Sequence, residues 1–121
     1  VSFRYILHEL LATTEGAVAV IFLDFEGETV DLVCDRDLSD HDLRVIGAYQ
    51  GIFLSQIREL CTKTRIGTPL RFKFEFSDRT SILSYDVKDG YYLVLLLDDK
   101  ADEGAAWRKM EVCQQKVLAE M

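Results

Sequence analysis

Apolar residues recur at helical spacing in three stretches of the chain and at strand spacing, or without a break, in five. Phe3, Ile6, Leu7, Leu10 and Leu11 fall at i, i+3, i+4, i+7 and i+8, which predicts an amphipathic helix ended by Gly16. Ala17 to Leu23 is a continuous apolar run rich in β-branched residues. Gly27 follows, where a hairpin needs a positive φ, and Thr29 to Cys34 returns as a strand of mixed character. A strand apolar on both faces must be covered on both, so the first strand is expected at the sheet centre and the second at its periphery.

Asp40 to Thr64, capped by Ser39 or Asp40, reads as one long helix closed by Gly67 and Pro69. Leu70 to Phe76 then alternates strictly. Leu70, Phe72, Phe74 and Phe76 point one way and Arg71, Lys73 and Glu75 the other, as in a one-sided edge strand. Tight turns at 77–79 and 88–90 separate it from strands at Thr80 to Val87 and Tyr91 to Leu97, the last again apolar on both faces. Asp102 and Glu103 suit the start of a final helix that buries Trp107, Met110, Gln114, Val117, Leu118 and Met121. The order is α-β-β-α-β-β-β-α. Short hairpin links make neighbouring strands antiparallel, and two strands buried on both faces need helices on both sides. The expectation is an α+β fold, a three-layer α/β/α sandwich around a five-stranded antiparallel sheet, forming a single domain over residues 1–121.

The long helix carries two apolar faces. Leu43, Ile46, Gln50, Phe53, Leu54, Ile57, Leu60 and Cys61 share one sector and are expected on the core. Nearly opposite stand Val45, Ala48 and Ile52, on the side that an isolated surface helix would give to water. Gly47 and Gly51 sit one turn apart on the flank between, where each costs about 1 kcal/mol against Ala but lets another backbone approach. A partner explains all three features. The plain alternative is that Val45 and Ile52 are ordinary exposed apolar residues.

Composition changes this picture in a few places. In 121 residues, 49 % hydrophobic with a single Pro, there is material for a real core and no sign of disorder. The N-terminus lacks the basic and apolar regions of a signal peptide and no apolar run is long enough to span a membrane, so a cytosolic protein without membrane insertion is expected. Cys34, Cys61 and Cys113 form no CxxC pair, which favours reduced, buried thiols over zinc or disulfides. The net charge of -7 resides in one segment: from Asp24 to Asp42 eight acids face one base, Arg36, and the rest of the chain has thirteen charges of each sign. Such acidity argues against phosphate-backbone binding but not against a basic protein partner.

Catalytic chemistry finds no footing. The segment Gly47 to Gly51 lacks the Lys-Ser/Thr and preceding strand of a phosphate loop. His8 and His41 stand apart, Cys61 lies on the core face, and no serine sits in a nucleophile elbow. Asp98, Asp99, Asp102 and Glu103 miss the calcium-loop spacing and read as loop solvation and helix capping. Phe72, Phe74 and Phe76 beside Arg71 and Lys73 could suggest nucleic-acid stacking, but alternation puts rings and cations on opposite faces. Core packing of the three Phe is expected instead, with the bases on an outer face or open edge that deters stray pairing or meets an acidic partner. No enzyme activity, metal or cofactor is expected.

In its element order and in the segments LHELLATTEGAVAVIFLDFEG, LRVIGAYQGIFLSQIREL and GYYLVLLLD, the chain resembles the roadblock family, the dynein light-chain roadblock and MglB-like domains, over nearly its whole length. The resemblance implies a roadblock/profilin-like fold and a homodimer in which long helices pair and third strands meet edge to edge. It places Gly47, Gly51, Leu70, Arg71, Phe72, Lys73, Phe74 and Glu75 at the dimer interface. It further implies a small Ras-like GTPase as partner, held by Val45, Ala48, Tyr49, Ile52 and Gln56, with hydrolysis speeded by positioning and without an arginine finger. The acidic segment 24–42 maps to no role in the family. Two other functions stay open at this point: a sensory small-ligand module similar to GAF or profilin-like domains, which should leave a cavity between sheet and helix, and a purely structural subunit of a larger complex.

Overall fold

A computed structural model of the chain, which describes residues 2–121, contains α1 (Arg4–Thr13), β1 (Ala17–Leu23), β2 (Thr29–Cys34), α2 (Asp40–Thr64), β3 (Arg71–Glu75), β4 (Ser81–Lys88), β5 (Tyr91–Leu97) and α3 (Glu103–Glu120). The five strands form one antiparallel sheet in the order β2-β1-β5-β4-β3. The two uninterrupted apolar runs, β1 and β5, lie side by side within it, with Phe22 opposite Leu93 and Ile21 opposite Val94. The mixed strand β2 and the alternating strand β3 form the two edges.

Helices cover both faces, as two fully apolar inner strands demand. On one face α1 and α3 bury Ile6, Leu7, Leu10, Met110 and Val117 against Val20, Phe22, Leu83, Leu93 and Leu95. On the other, Leu43 and Leu54 of α2 close over Ala19, Ile21, Leu23, Ile82 and Val94. Three side chains expected deep inside, Phe53, Phe72 and Trp107, are only half-buried, and Met121 is exposed.

Local chemistry sets the ends of the helices. The Ser39 hydroxyl accepts the Asp42 N–H at 3.0 Å and starts α2, and Asp102 accepts the Ala105 N–H at 3.2 Å and starts α3. The end of α2 differs from the expectation. Arg65 takes the left-handed conformation (φ 58°) that stops the helix before Gly67 is reached. The third strand is also shorter than Leu70 to Phe76. Leu70 and Phe76 fall outside it, although the Leu70 carbonyl still accepts the Asp86 N–H and the Phe76 N–H still donates to the Thr80 carbonyl, both at 2.9 Å.

Candidate functional site

The features that set this chain apart gather around α2, whose two flanks have different surroundings. One flank meets the turn between β1 and β2. Gly51 lies so close to β5 that a Cβ there would stand 2.5 Å from the Tyr92 hydroxyl, and one on Gly47 would stand 2.7 Å from the Leu23 side chain. The Tyr92 hydroxyl donates to the Gly47 carbonyl at 3.1 Å. Within one chain, the close approach allowed by the two glycines is made by its own sheet. Contacts distant in sequence, with Leu23 and Tyr92, decide this, and helical spacing alone cannot reveal them.

The opposite flank is bare. Because α2 seats only Leu43, Gly47, Gln50, Leu54 and Cys61 fully, the far side of its broad apolar stripe is left largely open to solvent. Ile57 and Leu60, expected in the core, are 41 % and 51 % exposed. Phe53, on the same flank, meets Phe74 of β3 with ring centroids 5.1 Å apart, and Tyr49 and Phe72 extend the aromatic row at 6.3 and 5.8 Å. The alternation of β3 holds: Phe72 and Phe74 stand opposite Ser84 and Ile82, on the α2 side of the sheet. Their burial does not follow from it. Phe74 and Phe76 remain 38 % and 47 % exposed, and Leu70 is also exposed, because α2 stops short of this edge. The result is a set of solvent-exposed apolar side chains on both elements, Ile57 and Leu60 of α2 and Leu70, Phe74 and Phe76 at the β3 edge, bridged by the Phe53–Phe74 contact.

On the reverse side, α3 takes up the bases of β3. The Arg71 guanidinium lies 4.6 Å from the Trp107 ring centre, and Lys73 pairs with Glu103. That ion pair holds the Lys73 ammonium above its usual pKa. Glu75 lies at the exposed end of the strand. Val45, Ala48, Ile52 and Gln56, on the outward line of α2, are all exposed, as is Tyr49 at the end of the aromatic row.

Two side-chain contacts join α2 to β4. Gln50 meets the Ser84 hydroxyl at 3.4 Å in the core, and Arg58 meets Asp86 at 3.4 Å near the turn. Burial pushes the Asp86 carboxyl up, against the pull of Arg58, and burial pushes the Tyr92 hydroxyl up to about 12. His8 and His41 are exposed on different helices, and the three cysteines are free, with Cys61 and Cys113 buried and Cys34 half-buried. Among the described residues no three His, Cys, Asp or Glu side chains come together as a metal site, and no helix is long and apolar enough to cross a membrane.

No family model and no curated protein matches the sequence. Solved structures do match the fold. The Roadblock/LC7 domain from Streptomyces avermitilis superposes with a TM-score of 0.82 at 15 % identity, over 93 % of this chain and 92 % of its own. MglB from Myxococcus xanthus gives 0.84 at 12 % identity, over 97 % and 92 %. MglC from Myxococcus xanthus gives 0.69 at 26 % identity, over the whole of both chains. A further MglB structure, at 0.84 and 14 % identity over 97 % of this chain and 85 % of that one, has a tetrameric arrangement. With its five-stranded antiparallel sheet, α2 on one face and α1 and α3 on the other, the chain has the roadblock fold.

Proposed function

We propose that the chain is a homodimeric, non-catalytic regulator or scaffold that binds a small Ras-like GTPase in the cytosol. The carrying observation is the uncovered apolar band shared by the bare flank of α2 and the β3 edge, with Leu60 at 51 % and Phe74 at 38 % exposure. Apolar surface of this continuity is rare on monomers and marks an interaction site. A second copy suits it, because a strand edge pairs with its twofold mate while the flanking helices bury their stripes together. In that dimer Leu70, Phe72 and Phe74 lie at the seam, joined by Phe53, Ile57 and Leu60, whereas Arg71 and Lys73 stay engaged with α3. Val45, Ala48, Tyr49, Ile52 and Gln56 remain outward as the platform for the GTPase. Likeness to MglB and MglC in fold supports this reading, as does the tetrameric arrangement seen for one MglB.

Two variants separate the two halves of the proposal. Light scattering at tens of micromolar should give a dimer for the native chain and a monomer for Leu60→Asp. Ile52→Asp should remain a dimer yet lose capture of the GTPase, in whichever of its GDP or GTP forms binds the native protein. Faster phosphate release with the native chain adds a GTPase-activating role, and unchanged release leaves a scaffold. A native monomer at that concentration overturns the dimer, and full GTPase capture by Ile52→Asp overturns the platform.

A further inference from the structure

We infer that the recess between the β1–β2 turn and the glycine flank of α2 receives an arginine side chain from a basic segment of a protein partner. The inference rests on α2 as a partner platform and adds the chemistry of one contact upon it. The recess has a volume of about 400 Å³ and is open to solvent on one side, so a side chain can enter it from a partner. Its floor is bare backbone at Gly27 and Gly51, with the Tyr92 hydroxyl at its base. Ile52, Phe25 and Glu26, all exposed, also line it.

Three features select a guanidinium. The Phe25 ring, 62 % exposed, offers an aromatic face to a flat cation. The Tyr92 hydroxyl spends its proton on the Gly47 carbonyl, which leaves its oxygen free to accept an N–H from the occupant. Asp24, Glu26 and Glu28 stand on the turn, while the one cation in the wall, Arg58, is already matched by Asp86 at 3.4 Å. The charged side chains lining the recess are Glu26 and Arg58, and with Arg58 engaged by Asp86 the acid is the one left for an occupant. A lysine finds the charge but cannot stack flat, and a tryptophan can stack but leaves the acids unmatched. This gives the acidic turn at the start of segment 24–42 a use, as the field that draws a basic partner to the platform.

The test is a set of amide chemical-shift titrations of the native protein with blocked arginine (N-acetyl-arginine N-methylamide) and its lysine, citrulline and tryptophan counterparts. Arginine should shift the amides of Gly27, Gly51 and Ser55, lysine should do so more weakly, and the uncharged isostere citrulline should leave them in place. Phe25→Ala and Glu26→Gln, both on an exposed turn, should each weaken arginine binding about two- to five-fold. Equal shifts with citrulline, tryptophan binding while arginine is silent, or no response at these amides overturns the inference. Probes this small need no GTPase, so the two readings fail separately. Silent amides in a protein that still captures the GTPase sink only the arginine site, and shifted amides in a protein that captures none sink only the GTPase.

Discussion

At the scale of single residues, Gly51 and Tyr92 show how a helical glycine is explained by a side chain forty-one positions away. Replacing Gly51 by Ala gains about 1 kcal/mol of helix propensity, but the new Cβ meets a hydroxyl at 2.5 Å on a ring that is 2 % exposed. Overpacking of that kind costs about 1–3 kcal/mol, so Gly51→Ala should destabilise the protein. Tyr92→Phe alone should cost about 1 kcal/mol for its hydrogen bond. Combined, they should be less harmful than either sum implies, because without the hydroxyl the nearest ring atom lies 3.5 Å from the Cβ. Denaturant midpoints of the four proteins should give a favourable coupling of about 1–3 kcal/mol, and strict additivity would show that the contact is not what requires the glycine. The same ring enters a pH effect. Burial holds the Cys113 thiol and the Tyr92 hydroxyl up to about 12, from ordinary values of 9.0 and 10.0. Between those values and 12 the folded chain keeps protons that the unfolded chain has lost. Their contribution to stability is complete below pH 9 and falls as pH rises toward 12. Cys113→Ala should delay the onset of the fall to about pH 10; an onset unmoved at pH 9 would rule out the thiol as its cause.

At the scale of elements, α2 was legible in extent and misleading in what it covers. Helical spacing located all 25 residues and narrowed the cap to Ser39 or Asp40, of which the structure uses Ser39, since those depend on local periodicity and one side-chain hydrogen bond. It could not show that a sheet five strands wide exceeds what one helix covers. Residues of one broad stripe therefore divide between core and solvent: Leu54 is buried, whereas Leu60, six positions on, is not. Strand alternation has the same limit. It assigned Phe74 to the correct face of β3, but burial of that face depends on where α2 ends sideways. The two ends of α2 offer a matched pair of tests. Ser39→Ala removes the acceptor of the Asp42 N–H and should cost about 1 kcal/mol, a loss that Ser39→Asp avoids. Arg65→Gly relieves a side chain held at φ 58° and should stabilise the protein by up to about 1 kcal/mol. Thermal melts read both changes. A destabilised Arg65→Gly would mean that the arginine side chain contributes more than its backbone strain costs.

At the scale of the whole molecule, both departures from the expected core, the exposed stripe of α2 and the exposed phenylalanines of β3, lie on the same side of the sheet and join into one band. Local pattern read each as interior, and the proposed dimer makes each of them interior by covering the band with a second copy. A dimer that dissociates as it unfolds has a stability that rises with protein concentration by about 1.4 kcal/mol for each ten-fold step. For a pair of chains of this length that is about 2–4 °C in Tm per ten-fold step. The native chain should show this slope from micromolar to hundreds of micromolar. Leu60→Asp and Phe74→Asp, one on each element of the band, should abolish it, while Ile52→Asp on the outward line should keep it. A slope lost with Ile52→Asp and kept with Leu60→Asp would put the seam on the outward face of α2 and leave the band for the partner. A flat native curve would mean that the band is not covered by a second copy.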